Sequence, residues 1–122
     1  MNQLRLSVYD ELYIIDLDNA MYFMADDHYS HVYYASGTHF LIPFGLSKIE
    51  ERLSAERSGD SFYYIRLGRR YIVNLHRIFY ISTAKQQLIL SDDHGQNHVL
   101  RISKPVLRSL HDMLSNGTNL PK

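Results

Sequence analysis

Three arginines crowd one short stretch of this chain. Arg66, Arg69 and Arg70 flank Leu67-Gly68 between two apolar, β-branched or aromatic runs. Runs of that kind, broken by a glycine, read as two strands and a turn, so the arginines would project from a sheet edge. A guanidinium there can fork onto phosphate oxygens, or pair with O6 and N7 of guanine in a major groove. A solvated hairpin with incidental ion pairs would show the same spacing. Other chemistries fit less well. His28, His31 and His39 with Asp26 and Asp27 offer nitrogen and oxygen ligands, but without ordered metal-site intervals; no metal site is expected. Ser, His and Asp all occur, but the Gly-x-Ser-x-Gly elbow of a hydrolase does not, so no enzyme is expected.

Arg66 and Arg70 also satisfy Arg-x-x-x-Arg, the phosphate grip of cyclic-dinucleotide binders of the PilZ type. The second half of that pattern, a polar-x-Ser-x-x-Gly strand, is missing downstream. The chain has no cysteine, which removes disulfides, thiolate zinc and a cysteine nucleophile. No apolar run approaches the roughly 20 residues of a membrane span. The N-terminus lacks the basic-then-apolar order of a secretory signal. A cytoplasmic protein with no membrane partner and no cofactor is expected.

Formal charge is zero, with 13 basic and 13 acidic residues in 122. A nucleic-acid binder usually carries a basic excess. The zero is unevenly built, however. Residues 1–60 hold 4 basic and 10 acidic residues, a net of −6; residues 61–108 hold 8 and 2, a net of +6. Such a split can make one basic face on a neutral molecule, or the two halves can interleave and cancel.

The elements that must position these residues are mostly short strands. Leu4, Leu6 and Val8 alternate with polar residues at period 2. Further runs lie at Tyr13–Leu17, Ala20–Ala25, His31–Ala35, His39–Ile42, Tyr63–Arg66, Tyr71–Asn74, Ile78–Thr83, Gln87–Ser91 and His98–Ile102. Turn signals separate several of them, among them Ser36-Gly37 and Asp92–Gly95. Ten tyrosines suit half-buried sheet surfaces. Leu46–Ser58 carries a helical stripe at Leu46, Ile49 and Leu53; Ser47 and Glu50 resemble a capping box there, with Gly45 the alternative cap. A second helix has Ser103 as N-cap, Pro105 in its first turn, and Val106, Leu107, Leu110, Met113 and Leu114 on one face. Asn74, at a strand end, is expected to satisfy backbone groups rather than a base. One domain over residues 1–114 and a flexible tail over 115–122 are expected.

The stretch Tyr64-Ile-Arg66-Leu-Gly68-Arg69-Arg70-Tyr71-Ile-Val73-Asn74-Leu-His-Arg-Ile78 resembles the signature of LytTR-type DNA-binding domains, roughly Phe-x-Arg-x-His-Arg-Ser-Tyr-x-Val-Asn-x-x-x-Ile. Phe23–Ser30 resembles a strand and loop of the family, Ile-Glu-Ala-x-x-Asn-Tyr-Thr. Phe44–Leu53 resembles its helix, and Arg101–Lys104 with Leu107 and Leu110 its closing motif and helix. The likeness runs in order from about residue 11 to 114. It implies a mainly β fold: an elongated antiparallel β sandwich of about ten short strands in three small sheets, with one mid-chain and one C-terminal helix.

It also implies sequence-specific binding of double-stranded DNA, at promoter direct repeats, by a bacterial transcriptional regulator that reads the major groove with loops. A homodimer on DNA belongs to the same expectation. Position by position, Tyr29, Arg69 and Lys104 take base-reading places. Arg66, Arg70 and Ser103 take phosphate places, and His28 and Ser30 flank the first loop. Three departures stand out: Gly68 replaces the family's usual His, Arg70 its usual Ser, and Lys104 its usual Arg, which gives up the planar fork. Family members often follow a phosphoacceptor receiver domain. Here only about ten residues precede the first family-like strand, so a domain without a receiver is expected, and Met1 supports natural length. The competing reading is a diverged β domain that offers a tyrosine-rich surface to a protein and no longer binds DNA.

Overall fold

The structure, a computed structural model, describes residues 2–55 and 63–115. Ten strands and two α-helices lie within them. They are β1 (Gln3–Val8), β2 (Glu11–Asp16), β3 (Ala20–Asp26), β4 (Tyr29–Tyr34), β5 (His39–Ile42), α1 (Leu46–Ala55), β6 (Tyr64–Leu67), β7 (Tyr71–Asn74), β8 (Ile78–Ser82), β9 (Gln87–Ser91), β10 (Asn97–Arg101) and α2 (Lys104–Ser115). A 3-10 turn, Leu75–Arg77, joins β7 to β8. The strands make three sheets, β1-β2, β5-β4-β3-β7-β6 and β10-β9-β8, and every pairing is antiparallel. The fold is therefore mainly β, as the strand pattern and the family likeness imply.

The five-stranded sheet is the middle layer. Side chains alternate across a strand, and here each side has its own core. Phe23, Val32 and Ile72 face a cluster built with β1, β2 and α1. Tyr22, Tyr71 and Val73 face a second cluster built with β8–β10 and α2. β7 is consequently buried along its whole length. The tyrosine count suggests half-buried surfaces, yet Tyr22 and Tyr71 lie within the second core, covered on their far side by the third sheet.

Both helices appear where the periodicity puts them. α1 starts at Leu46, so Gly45 holds the cap position and its carbonyl accepts from Ile49 N–H at 3.2 Å; Ser47 is already inside the helix. The stretch after Ala55 in the expected Leu46–Ser58 helix lies outside the described residues. α2 buries Leu107 and Leu110, but Met113 and Leu114 are 49% and 41% exposed. Its apolar stripe outruns the core it covers. Ser115 still belongs to this helix, and the remainder of the expected tail lies outside the described residues.

Candidate nucleic-acid interface

Three loops stand at one end of the middle sheet. The first joins β3 to β4: Asp26 pairs with Tyr29, leaving Asp27-His28 as a two-residue turn. Asp27 adopts the left-handed region, φ 56°, which tight hairpins need and Asp tolerates better than most residues. His28 reaches into solvent, its side chain 92% exposed. Tyr29 is 48% exposed. Ser30, one residue on, points to the opposite face by strand alternation. It is fully buried, and its hydroxyl donates to the Phe44 carbonyl at 2.7 Å. It cannot flank a DNA contact with its side chain, which corrects the expectation for that residue.

The second loop joins β6 to β7, with Leu67 paired to Tyr71 and Gly68, Arg69 and Arg70 between. Gly68 has φ +68° and open space around its α-carbon. Arg66 is folded back under this turn. Its Nε donates to the Gly68 carbonyl at 2.8 Å, and its Nη1 meets Glu50 Oε1 of α1 at 3.0 Å. With only 23% of its side chain exposed, Arg66 braces the turn. Arg69 is exposed and makes no ion pair among the described residues. The Arg70 guanidinium sits 5.5 Å above the Tyr71 ring, a cation–π placement that leaves its charge uncompensated. The Arg70 carbonyl accepts from Ala25 N–H at 2.8 Å, which fixes this turn beside the end of β3 and so beside the first loop.

The third region is the start of α2. Ser103 holds the N-cap position, its carbonyl accepting from Leu107 N–H at 3.0 Å. Ser103 and Lys104 are exposed, and the first N–H groups of α2 lack helical partners, as in any helix. This region meets the second loop directly: Leu67–Tyr71, Arg101–Ser103 and Val106 line one open cleft of about 180 Å³. Arg101 is the residue that the sequence reading missed. It sits at an exposed position of β10, and the packing of the third sheet and α2 against the middle sheet brings it beside Arg69 and Arg70. Its odd-numbered register against buried Leu100 is the one signal that could have found it.

The +6 segment is therefore not cancelled where it matters. Arg66 pairs with Glu50 and Arg77 with Asp93, while Arg69, Arg70, Arg101 and Lys104 have no acidic partner among the described residues. Among those residues no group of three or more His, Asp or Glu is arranged to hold a metal ion. No described helix is long and apolar enough to cross a membrane. Such an end, with exposed guanidiniums, a helix N-terminus and an exposed aromatic, suits a polyanion with edges to read.

Comparison with known proteins agrees. The family model described as the LytTr DNA-binding domain matches residues 10–115. A solved LytTr DNA-binding domain from Bacillus cereus shares the fold: TM-score 0.61 and 21% identity, over 93% of this chain and 97% of that one. No curated protein matches the chain.

Proposed function

The chain belongs to the LytTr DNA-binding domain family, and from that premise we propose that it binds double-stranded DNA sequence-specifically, reading the major groove with its loops as part of a transcriptional regulator. One observation carries this reading. Three segments separated by dozens of residues converge on one end of the middle sheet, and Arg69, Arg70, Arg101 and Lys104 there have no acidic partner among the described residues. The family is a DNA-binding one rather than an enzymatic one.

The roles divide by geometry. Tyr29, Arg69 and Lys104 project outward and are the base readers of this proposal. Arg69 can fork onto guanine, while Lys104 offers a point charge with less geometric discrimination. Arg70, Ser103 and the first N–H groups of α2 hold phosphates, joined by Arg101 across the cleft. His28 stands at the tip of the first loop. Arg66 acts indirectly, because its guanidinium is spent on Gly68 and Glu50. Tyr22 and Tyr71 are buried and Tyr33 is stacked on Tyr22, so a tyrosine-rich docking surface of the competing reading would have to rest on the exposed Tyr9, Tyr29 and Tyr80.

Selection of bound sequences from random duplexes tests the proposal. A recovered motif, spaced as repeats about one helical turn apart, is expected. Recovery of sequences indistinguishable from the input pool would overturn it.

A further inference from the structure

Three of the histidines outside the proposed contacts, His31, His39 and His98, belong to one row of bonded and stacked rings. On the sheet face that carries Tyr29, His31 stands between two partners. Its Nε2 lies 2.8 Å from Asp26 Oδ2, and its Nδ1 lies 2.7 Å from His39 Nε2. An ionised carboxylate only accepts, so His31 Nε2 carries a hydrogen; in the neutral ring Nδ1 then accepts from His39 Nε2–H. The His39 ring stacks on Tyr33 at 4.4 Å and 2°, and Tyr33 on Tyr22 at 4.6 Å and 14°. The Tyr22 hydroxyl is 3.1 Å from His98 Nδ1, and His98 Nε2 is 3.2 Å from Asp92 Oδ2 on the third sheet. The row begins at Asp26, the residue that anchors the first loop.

The contact between His31 and His39 has room for one hydrogen. The pair can take up one proton and keep its bond; two would set N–H against N–H. With that one proton, Asp26, His31 and His39 together change from a charge of −1 to neutral. Other groups facing this trio are few. Tyr33 and Tyr22 are neutral, and burial holds the Tyr22 hydroxyl far above its usual range. Arg70 approaches from the second loop, against Met24, which is the cross-strand neighbour of His31. Asp27 and His28 lie in the loop and face solvent. His98 and Asp92 close the far end.

We propose that Asp26, His31 and His39 form a proton-linked device that positions and discharges the first loop, so that duplex DNA binds more tightly as pH falls from about 8 to about 6. The inference rests on the DNA reading above. At high pH the Asp26 carboxylate, held by His31, stands at the end of the sheet that meets phosphates and opposes them. Uptake of one proton removes that opposition. If DNA favours the protonated trio, binding must draw a proton in, by linkage. His31 and His39 act through Asp26 and are positioning residues.

Two measurements test this. The first is the affinity for a duplex recovered by the selection, by fluorescence anisotropy at constant salt. Wild type should bind about three- to tenfold more tightly at about pH 6 than at about pH 8; a single linked proton cannot give more than about tenfold per unit. Asp26→Asn should bind as tightly at about pH 8 as wild type does at about pH 6, with little remaining pH slope. The double variant His31→Gln/His39→Gln should also lose the slope, and His28→Gln should keep it. A flat wild-type profile, a slope that survives in Asp26→Asn, or a slope abolished by His28→Gln overturns the proposal. The second is an NMR titration of the histidine rings without DNA. His31 and His39 should titrate as a coupled pair, and the amides of Asp27, His28 and Tyr29 should move with the same midpoint. Independent ring titrations with unmoved amides overturn the coupling. A wild-type protein that captures no duplex at either pH overturns the DNA reading and this affinity change with it, while the ring titration still reports whether the proton coupling exists.

Discussion

Arg66 and Arg69 are three residues apart and do different work. Arg69 projects from the turn with no acidic partner among the described residues, whereas Arg66 is tied to Gly68 and Glu50. Arg69→Ala should therefore cost about 1–3 kcal/mol on the preferred duplex and relax the base choice at one position. Repeating the selection with the variant checks this, and an unchanged motif refutes base reading by Arg69. Arg66→Ala should loosen the turn and weaken all duplexes alike, and the same selection would expose any sequence-selective loss. Asn74 shows how a residue's role follows from burial. It is 1% exposed; its Nδ2 donates to the Ala20 carbonyl at 2.9 Å, and its Oδ1 accepts from His76 N–H at 2.8 Å. The backbone-satisfying role expected from its place at a strand end holds. Asn74→Ala removes the acceptor of the His76 N–H and one of the two donors to the Ala20 carbonyl, which keeps the Tyr64 hydroxyl at 2.8 Å, and should destabilise the fold by about 1–2 kcal/mol in urea denaturation. A midpoint unchanged from wild type would show that the site had relaxed.

At the scale of elements, the second loop depends on Gly68. Its φ of +68° lies in the left-handed region, and no atom stands within 4 Å of an added β-carbon. Gly68→Ala therefore meets no clash and should cost only the conformational penalty, about 1–2 kcal/mol; thermal unfolding measures it. His is among the side chains enriched at such angles, so the backbone of this turn also suits the residue that the family signature usually carries there. α2 contributes in two ways: it covers the second core and presents its N-terminus to the cleft. Leu107 is fully buried, so Leu107→Ala should destabilise by about 2–5 kcal/mol. The helix start lines the cleft beside Arg69 and Arg70, so the same variant should also weaken DNA binding before global unfolding sets in. An affinity that stays constant until the unfolding transition would refute that coupling.

For the whole molecule, charge placement and proton binding decide the response to solution conditions. A neutral chain has little long-range pull on DNA, so attraction must come from the basic end once it is close. Affinity should still fall steeply with salt, with log K linear in log[salt], because each neutralised phosphate releases counterions. A titration with KCl checks the slope, and salt-insensitive binding would exclude phosphate contacts. Stability should decline on acidification. Burial and the neighbouring His31 hold the His39 ring below its ordinary value. The unfolded chain thus binds a proton at His39 that the folded one resists, so stability present at neutral pH is lost as pH falls below about 6.5. Asp92 adds a second step of the same sign at lower pH. Backbone N–H bonds from Gln96 and His94 and the adjacent His98 hold its carboxyl below the usual range, so its contribution fades only as pH drops through and under that range. Melting temperatures from about pH 8 to about pH 3 should show both steps, with the upper one reduced in His39→Gln.

Much of this protein is legible from local pattern, because local pattern is what sets local structure. Period-2 alternation and turn residues located β5, β7 and β9 to the residue, and spacing of three and four located both helices. The arginine turn was visible for the same reason, since a glycine between two β-rich runs leaves few other conformations. The tertiary structure alone decided which of those arginines stay free. Whether Arg66 is a contact or a brace depends on Glu50, sixteen residues away on α1. Whether Ser30 faces solvent depends on the segment before α1, whose Phe44 carbonyl accepts from its hydroxyl. Arg101 joins the cleft only because β10 leads into a helix that starts beside the β6–β7 turn. Likewise, a net charge of zero is a property of composition, while its separation into a basic end is a property of folding, because burial and pairing remove some charges from play and leave others facing water.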